Sequence, residues 1–230
     1  MIRSIIFDLD DTLFPEMEYI HSGFRKVSSF LSENTKINSK VIFDDLTGSN
    51  IFKEDKLLFT RLFKKLNIDR TLLKDCLDCY RSHKPDIRLS NDTESLLSIL
   101  KKRYDLCLIT DGPPQIQRSK SIALGLGRFF KIQIFTEIFG KTYRKPSVLP
   151  FVLAIKELEV CPSECIYIGD DPLLDFSAPR EIGIYSVRLQ YPEQKHYMVE
   201  SEYGLEPNET IWDIAAIQGI IRERSDFTII

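Results

Sequence analysis

Long apolar runs are missing from this sequence of 230 residues. A helix that crosses a bilayer needs about 20 consecutive apolar residues, and we find no stretch of that kind. The short apolar run near the N-terminus, Ile5 to Phe7, meets Asp8 at once, which is unlike the apolar centre of a secretory signal peptide. We therefore expect neither a membrane partner nor an export signal.

An excess of charge of either sign is also missing. The chain has 31 Lys and Arg residues against 34 Asp and Glu residues, and its net charge is −3. Nucleic-acid and anionic-membrane binding usually require a basic excess, so we expect neither partner.

Cysteine is sparse and odd in number, at five. Because a disulfide framework usually has an even count, we expect reduced thiols and a cytoplasmic location.

Short β-branched and aromatic runs alternate with helical patterns along most of the chain. The runs predict strands at 3–8, 104–110, 132–136, 165–169 and 184–189. The helical patterns lie at 93–103, 114–125, 147–158 and 173–182. Strands that alternate with helices predict an α/β fold with a doubly wound parallel sheet.

This alternation stops after the first strand. Residues 14–87 have helical periodicity and no convincing strand, so they predict a small helical bundle. We therefore expect a core domain at 1–13 and 88–230 with an inserted helical domain at 14–87. A last amphipathic helix is predicted at 209–224, packed on the sheet.

Polar residues follow the predicted strands where each strand ends. They are Asp8, Asp10, Thr12, Thr110, Asp111, Gly112, Asp170, Asp171 and Asp175. Lys145 lies in the loop and helix start after the third strand. Ligands of open α/β sheets bind outside the carboxyl ends of the strands, so we expect these residues to meet in one pocket. Several carboxylates in one pocket require a cation, and oxygen ligands of this kind favour Mg²⁺.

The spacing of Asp8 and Asp10 suits phosphoryl chemistry. Residues two apart on an extended strand point to the same face. One carboxylate can then attack phosphorus while the other protonates the leaving alcohol. The second carboxylate would later deprotonate the water that cleaves the aspartyl phosphate.

The phosphoryl oxygens are expected to bind at the second and third segments. Thr110 offers a hydroxyl, Lys145 offers a compact positive charge, and Gly112 lets backbone N–H groups approach. We therefore expect a phosphate site formed by Thr110, Asp111, Gly112 and Lys145. Thr110 and Lys145 would also stabilise charge during the transfer.

Each of these residues also has an ordinary structural explanation. Residues 10–12 fit a turn or a helix N-cap, and Asp11 itself is expected to be structural or solvated. Thr110 fits a strand end and Lys145 a solvated basic loop. Asp175 fits an exposed acid in the first turn of a helix, where the helix dipole favours it.

Four motifs, in order, resemble those of the haloacid dehalogenase-like hydrolase superfamily. The first is an apolar strand followed by Asp-x-Asp-x-Thr, at residues 5–12. The second is a strand that ends in Thr, at 108–110, although Asp111 stands where Asn is usual. The third is Lys145 before proline, and the fourth is a strand with Gly-Asp and a further acid, at 168–175.

This resemblance implies roles for the acidic residues. Asp8 would be the nucleophile and a metal ligand. Asp10 would be the general acid and base, with its carbonyl oxygen on the metal. Asp170 would be a further ligand, and Asp175 or Asp171 would complete the cluster. The dehalogenases themselves lack an aspartate at the position of Asp10, so its presence favours hydrolysis of phosphate esters.

The resemblance also implies that the inserted domain is a cap that closes over the substrate. Polar residues of this domain near the first motif either contact substrate or lie on the surface: Glu16, Glu18, Tyr19, His21 and Arg25. The loop at 47–50 is a further candidate.

The expected substrate is a small phosphorylated metabolite. A sugar phosphate comes first by analogy, and phosphoglycolate or a nucleotide comes next. Two other functions stay open: a mutase that transfers the phosphoryl group to a sugar, and a non-catalytic phospho-acceptor or regulatory protein. The sequence marks no oligomer interface.

Overall fold

A computed structural model describes residues 1–48 and 57–226 of the chain. The chain divides into two compact units, one formed by Met1–Glu16 with Arg88–Ile230 and the other by Met17–Ile87. The first boundary therefore follows Glu16 rather than Leu13. Within the described ranges, no helix has the length and apolar character needed to cross a membrane.

The first unit is built on a six-stranded parallel sheet. Its strands are β1 (Ser4–Phe7), β2 (Asp105–Thr110), β3 (Ile132–Phe135), β4 (Cys165–Gly169), β5 (Tyr185–Leu189) and β6 (Glu209–Ile211). The order across the sheet is β3-β2-β1-β4-β5-β6, and every neighbouring pair is parallel. The chain thus builds outward from β1 to one edge and then from β4 to the other. This order confirms the predicted doubly wound α/β fold.

Helices cover the sheet, which explains why its central strands are continuous apolar runs. They are α5 (Asn91–Leu100), α6 (Pro114–Ala123), α7 (Leu149–Leu158), α8 (Ser177–Ile182) and α9 (Ile217–Asp226). On one face, Phe151 of α7 packs edge-on against Tyr167 of β4, with ring centroids 4.9 Å apart. Ile6 and Ile109 belong to the same buried cluster. The central strands are therefore tightly packed against the helices on this face of the sheet.

The predicted helix at 209–224 is wrong in its first part. Glu209–Ile211 form β6, which pairs with β5 at the edge of the sheet. The Asp213 side chain then accepts a hydrogen bond from the N–H of Ala215 at 2.8 Å and starts a short 3₁₀ turn before α9. A strand of only three residues is too short to produce a period of two that could outweigh the helical pattern after it.

The second unit contains helices joined by loops and no strand among its described residues. Helices α1 (Glu16–Asn34), α2 (Ser39–Thr47), α3 (Leu58–Lys65) and α4 (Leu73–Ser82) provide its secondary structure together with a short 3₁₀ turn. Their apolar faces form a separate core that includes Phe24, Leu31, Ile42, Phe63 and Cys76. Of the candidate loop at 47–50, residues 49 and 50 lie outside the described residues.

Candidate active site

The turn after β1 carries the first acidic residues. The N–H of Asp8 donates to the carbonyl of Ile168 at 2.8 Å, so Asp8 still follows the path of the sheet. Asp11 then adopts a positive φ of 54°, which only a few residue types tolerate. Its carboxylate accepts a hydrogen bond from the N–H of Glu16 at 2.8 Å, and its carbonyl accepts one from Gln194 at 2.6 Å. Asp11 therefore has the structural role expected of it.

Lys145 connects the nucleophile candidate to the fourth motif. Its Nζ atom lies 2.5 Å from Oδ1 of Asp8 and 2.7 Å from Oδ1 of Asp175. The hydroxyl of Tyr167 donates to the same oxygen of Asp175 at 2.6 Å. Lys145 is only 6% exposed and Asp175 is fully buried. The alternative explanations are therefore wrong: Lys145 does not lie in a solvated basic loop, and Asp175 is not an exposed acid at the start of a helix.

Asp175 points its carboxylate at protein donors. Besides the bonds from Lys145 and Tyr167, its Oδ2 accepts a bond from the N–H of Asp171 at 2.9 Å. Gly169 makes this position possible, because a Cβ atom there would overlap the Asp175 carboxylate. Asp171 instead accepts a bond from the N–H of Leu173 at 2.9 Å. The geometry thus gives Asp175 the contacts of a residue that orients Lys145.

Charge and burial shift the protonation of this group. Burial lowers the pKa of Lys145, but the carboxylates of Asp175 and Asp8 together raise it well above its usual value. Burial raises the pKa of Asp8; the Lys145 ammonium opposes this shift and Asp175 adds to it. The pKa of Asp170 is raised by burial, by Asp175 and by Asp8. Lys145 is therefore charged, while burial and the neighbouring carboxylates disfavour the ionised forms of Asp8 and Asp170.

The residues present fit a magnesium ion. Within residues 1–48 and 57–226, no three or more His, Cys, Asp or Glu side chains form a ready-made metal cluster. Mg²⁺ does not need one, because it commonly binds through one or two carboxylates, waters and a substrate phosphate. Asp8 and Asp170 are two nearly buried carboxylates with raised pKa values. A divalent cation beside them would favour their ionised forms.

A second network surrounds Asp10 and Thr110. The side-chain amide of Gln117 donates to Oδ2 of Asp10 at 2.9 Å and to the hydroxyl oxygen of Thr110 at 2.5 Å. Lys120 donates to Oδ1 of Asp10 at 2.6 Å. Neither Gln117 nor Lys120 was predicted to belong to the site. The available signal was a polar pair spaced three residues apart on α6, in line with Leu124 of the buried face.

Asp111 and Gly112 complete the loop after β2. Oδ1 of Asp111 accepts bonds from the Thr136 hydroxyl at 2.5 Å and from the N–H of Lys145 at 3.2 Å. The side chain of Asp111 thus fixes the loop that carries Lys145, and a carboxylate would repel a phosphate in any case. Gly112 has a φ of 121°, which favours glycine. What these two residues can offer to an anion is their backbone N–H groups.

The loop after β5 was not predicted to belong to the site. Arg188, at 6% exposure, donates to the carbonyl of Asp170 at 3.2 Å and to the carbonyl of His196 at 2.8 Å. The Nε2 atom of His196 lies 3.5 Å from Oδ2 of Asp171. Arg188 therefore connects this loop to the turn that carries Asp170 and Asp171. An arginine inside an apolar strand was the signal in the sequence.

Three of the candidate substrate-contacting residues, Tyr19, His21 and Arg25, have partners or charged neighbours within the helical unit itself. Tyr19 is buried within that unit and its ring lies 4.9 Å from that of His83. Arg25 lies 3.8 Å from a carboxylate oxygen of Asp86. Burial and the charge of Arg25 lower the pKa of His21. Tyr19 is therefore a packing residue of its own unit.

Comparison with known proteins finds curated relatives along most of the chain. Glyceraldehyde 3-phosphate phosphatase of Methanocaldococcus jannaschii is 28% identical over 224 residues, which cover 89% of this chain and 91% of that protein. Phosphoglycolate phosphatase of Colwellia psychrerythraea is 25% identical over 193 residues, covering 81% and 84%. The HAD-hydrolase YfnB of Bacillus subtilis, solved bound to magnesium, shares the fold with a TM-score of 0.67 at 19% identity, covering 96% and 98%.

A family match agrees with these relatives. The haloacid dehalogenase-like hydrolase family matches residues 2–183, a range that contains all four motifs and both hydrogen-bond networks. The resemblance inferred from the motifs is confirmed. This chain belongs to the haloacid dehalogenase-like hydrolases.

Proposed function

We propose that this chain is a magnesium-dependent phosphomonoesterase that acts on a small phosphorylated metabolite through an aspartyl phosphate on Asp8. One observation carries the proposal: Asp8 and Asp10 follow the same strand, yet separate sets of partners hold them. Asp8 contacts Lys145, whereas Asp10 contacts Gln117 and Lys120. One carboxylate is thus arranged beside a cation for attack, and the other is arranged for proton transfer.

The coarser assignment, a phosphatase of the haloacid dehalogenase-like family, is supported by the family match and by relatives named as phosphatases. Their names also support a small phosphorylated metabolite as the substrate. Under this proposal the inserted unit acts as a cap that screens the site from water. The cytoplasmic location stays a prediction.

The first step of the proposed reaction phosphorylates the enzyme. A carboxylate oxygen of Asp8 forms a bond to phosphorus, and the bond between phosphorus and the leaving oxygen breaks. The electron pair of that bond goes to the leaving oxygen, which takes a proton from Asp10. In this proposal the Lys145 ammonium and the Thr110 hydroxyl stabilise the phosphoryl oxygens.

The second step restores the enzyme. A water oxygen forms a bond to phosphorus, its proton passes to Asp10, and the bond to Asp8 breaks to release inorganic phosphate. A bound Mg²⁺, held by Asp8, Asp170 and the carbonyl oxygen of Asp10, would neutralise charge on the phosphoryl group in both steps. Asp175 serves in this scheme by holding Lys145 against Asp8.

The proposal is tested by release of inorganic phosphate from a panel of phosphorylated metabolites, with Mg²⁺ and after chelation. We expect turnover only with Mg²⁺, and a loss of at least 100-fold in Asp8→Asn. Single-turnover reactions with water or a sugar as acceptor separate a hydrolase from a mutase. If the wild type and Asp8→Asn both release no phosphate in the presence of Mg²⁺, the chain is not a phosphatase and the regulatory alternative gains.

A further inference from the structure

Helix α6 presents two buried polar side chains to the acid and base candidate. Gln117 is 2% exposed and Lys120 is 3% exposed. Gln117 donates to Oδ2 of Asp10 at 2.9 Å, and Lys120 donates to Oδ1 at 2.6 Å. Each oxygen of one carboxylate therefore has its own donor, and both donors come from the same face of one helix. Burial of a lysine is costly unless its charge is paired. The pairing of Lys120 with Asp10 compensates that cost, and it raises the question of what the pair does for Asp10.

Neighbouring residues limit where the two donors can go. Lys120 lies between Asp10 and Glu16, whose carboxylate oxygen is 3.9 Å from its Nζ atom. Gln117 also reaches the hydroxyl of Thr110 at 2.5 Å, which ties Asp10 to the phosphate site. Gly112 borders Gln117 closely, because a Cβ atom there would lie 3.3 Å from Cδ of Gln117. The two donors are thus held in place from several sides.

The Asp10 side chain depends on these two donors for its orientation. It follows the end of β1, and its side chain is 22% exposed. Within residues 1–48 and 57–226, the side chains that donate hydrogen bonds to its carboxylate are those of Gln117 and Lys120. An acid or base catalyst must lie within hydrogen-bond reach of the proton that it moves. A displacement of about 1 Å in a reacting group costs about 100-fold in rate.

We propose that Gln117 and Lys120 are positioning residues that hold the Asp10 carboxyl group in line with the leaving oxygen. They act through Asp10 and do not touch the reacting atoms. The inference rests on the proposed function, because it requires Asp10 to move a proton in both steps. Its consequence is specific: loss of either donor slows the steps in which Asp10 moves a proton, and it spares attack by Asp8 on an ester whose leaving group needs no proton.

Leaving groups distinguish this role from a merely structural one. An alkyl oxygen needs a proton when its bond to phosphorus breaks, whereas p-nitrophenolate leaves without one. The ratio kcat/KM covers the steps up to the first irreversible one, here loss of the alcohol. A misplaced Asp10 therefore lowers kcat/KM for an alkyl phosphate much more than for an aryl phosphate. A general loss of structure lowers both equally.

The experiment measures kcat/KM of the full chain with Mg²⁺ for glycerol 2-phosphate and for p-nitrophenyl phosphate. The variants are Lys120→Met and Gln117→Leu, with Arg118→Met as the control, since Arg118 is an exposed residue of the same helix. We expect the alkyl-to-aryl ratio to fall at least about 10-fold in both variants, as part of the 100-fold to 10,000-fold effect of acid and base catalysis. Arg118→Met should keep the wild-type ratio.

Burst kinetics give a second readout. If water activation by Asp10 also slows, Lys120→Met accumulates the aspartyl phosphate and releases about one equivalent of p-nitrophenol in a fast phase. An unchanged ratio, or an equal fall for both substrates, overturns the inference. If Lys120→Met does not fold, as judged by its thermal unfolding, Gln117→Leu decides by the same ratio. A wild type that is inactive on both substrates instead contradicts the proposed function.

Discussion

The Nζ atom of Lys145 lies 2.5 Å from Oδ1 of Asp8, in a position where both side chains are nearly buried. This contact joins a residue of the first motif to one that lies 137 positions later in the chain. It places a positive charge beside the carboxylate that would attack phosphorus. The partners that hold Lys145 are therefore as testable as Lys145 itself.

Asp175→Asn should weaken both catalysis and folding. The variant removes the fully buried carboxylate that accepts bonds from Lys145 and Tyr167. Breaking a buried ion pair costs about 3 kcal/mol, so the urea midpoint should fall clearly. Asp105→Asn is the control, because it breaks an exposed pair with Lys131 that is worth at most about 1 kcal/mol. Equal losses in the two variants would contradict a special role for Asp175.

Gly169→Ala should displace the same carboxylate. An added Cβ atom overlaps the Asp175 side chain, and overpacking of this kind costs about 1 to 3 kcal/mol. We also expect lower phosphatase activity, because Lys145 would move with Asp175. Gly127→Ala is the matched control, since its added Cβ atom meets no atom within 4 Å among the residues described. Thermal unfolding of the two variants makes the comparison; a stable, fully active Gly169→Ala would refute it.

Glu16→Gln should change how stability depends on pH. Burial raises the pKa of Glu16 to about 7 from 4.5; Asp10 adds to the shift and Lys120 opposes it. Between these values the folded state holds a proton that the unfolded state releases, so folding is disfavoured as the pH rises through this range. The variant cannot ionise. Its stability relative to the wild type should therefore increase from about pH 4.5 to about pH 7 and then level off.

Urea midpoints at a series of pH values measure this effect. The Glu16 side chain is 34% exposed, so solvent screening keeps the effect small. A difference between the two proteins that stays constant across the range would show that Glu16 does not titrate in this way.

Magnesium should bind more tightly as the pH rises. The pKa values of Asp8 and Asp170 are raised, chiefly by burial, and metal binding requires the ionised form. Binding should therefore release protons at low pH and fewer at high pH. Calorimetric titrations at about pH 5.5 and about pH 8, each in two buffers of different ionisation enthalpy, measure both quantities. An affinity that does not change with pH would count against these two carboxylates as ligands.

The fold was largely predictable because its central strands are distinctive. Each of β1, β2 and β4 is a largely apolar run closed by turn residues, and a strand buried on both faces needs that composition. The edge strand β6 escaped prediction, since three residues carry no usable period. Sequence patterns therefore captured the centre of the sheet better than its edge.

The site residues that directly follow strands were predictable. Those that lie on a helix or a later loop and contact them from the side were not. The positions of Asp8, Asp10 and Thr110 follow from where β1 and β2 end. The positions of Gln117 and Lys120 could not be inferred in this way, because an amphipathic helix usually has apolar residues on its buried face. A polar pair there becomes intelligible only when the partner, Asp10, is known to lie across from it.

In the fourth motif, the sequence predicted the acidic residues but not the direction of their side chains. The sequence left open which of Asp171 and Asp175 completes the acidic cluster. Both stand in one short turn, and the choice depends on side-chain direction, which spacing alone does not define. The space above Gly169 decides where Asp175 points.

The position of β1 in the sheet also has a consequence for the order of folding. Ser4 pairs with Asp105 on one side and with Cys165 on the other, both more than 100 residues later. Pairings between residues so far apart in the sequence form slowly. A growing chain that has not yet supplied β4 leaves β1 with an open edge, and Lys145 and Asp175 have not both reached Asp8. The contacts that join Asp8, Lys145 and Asp175 therefore depend on residues from β1 to beyond β4, so a truncated chain that ends before Asp175 cannot form all of them.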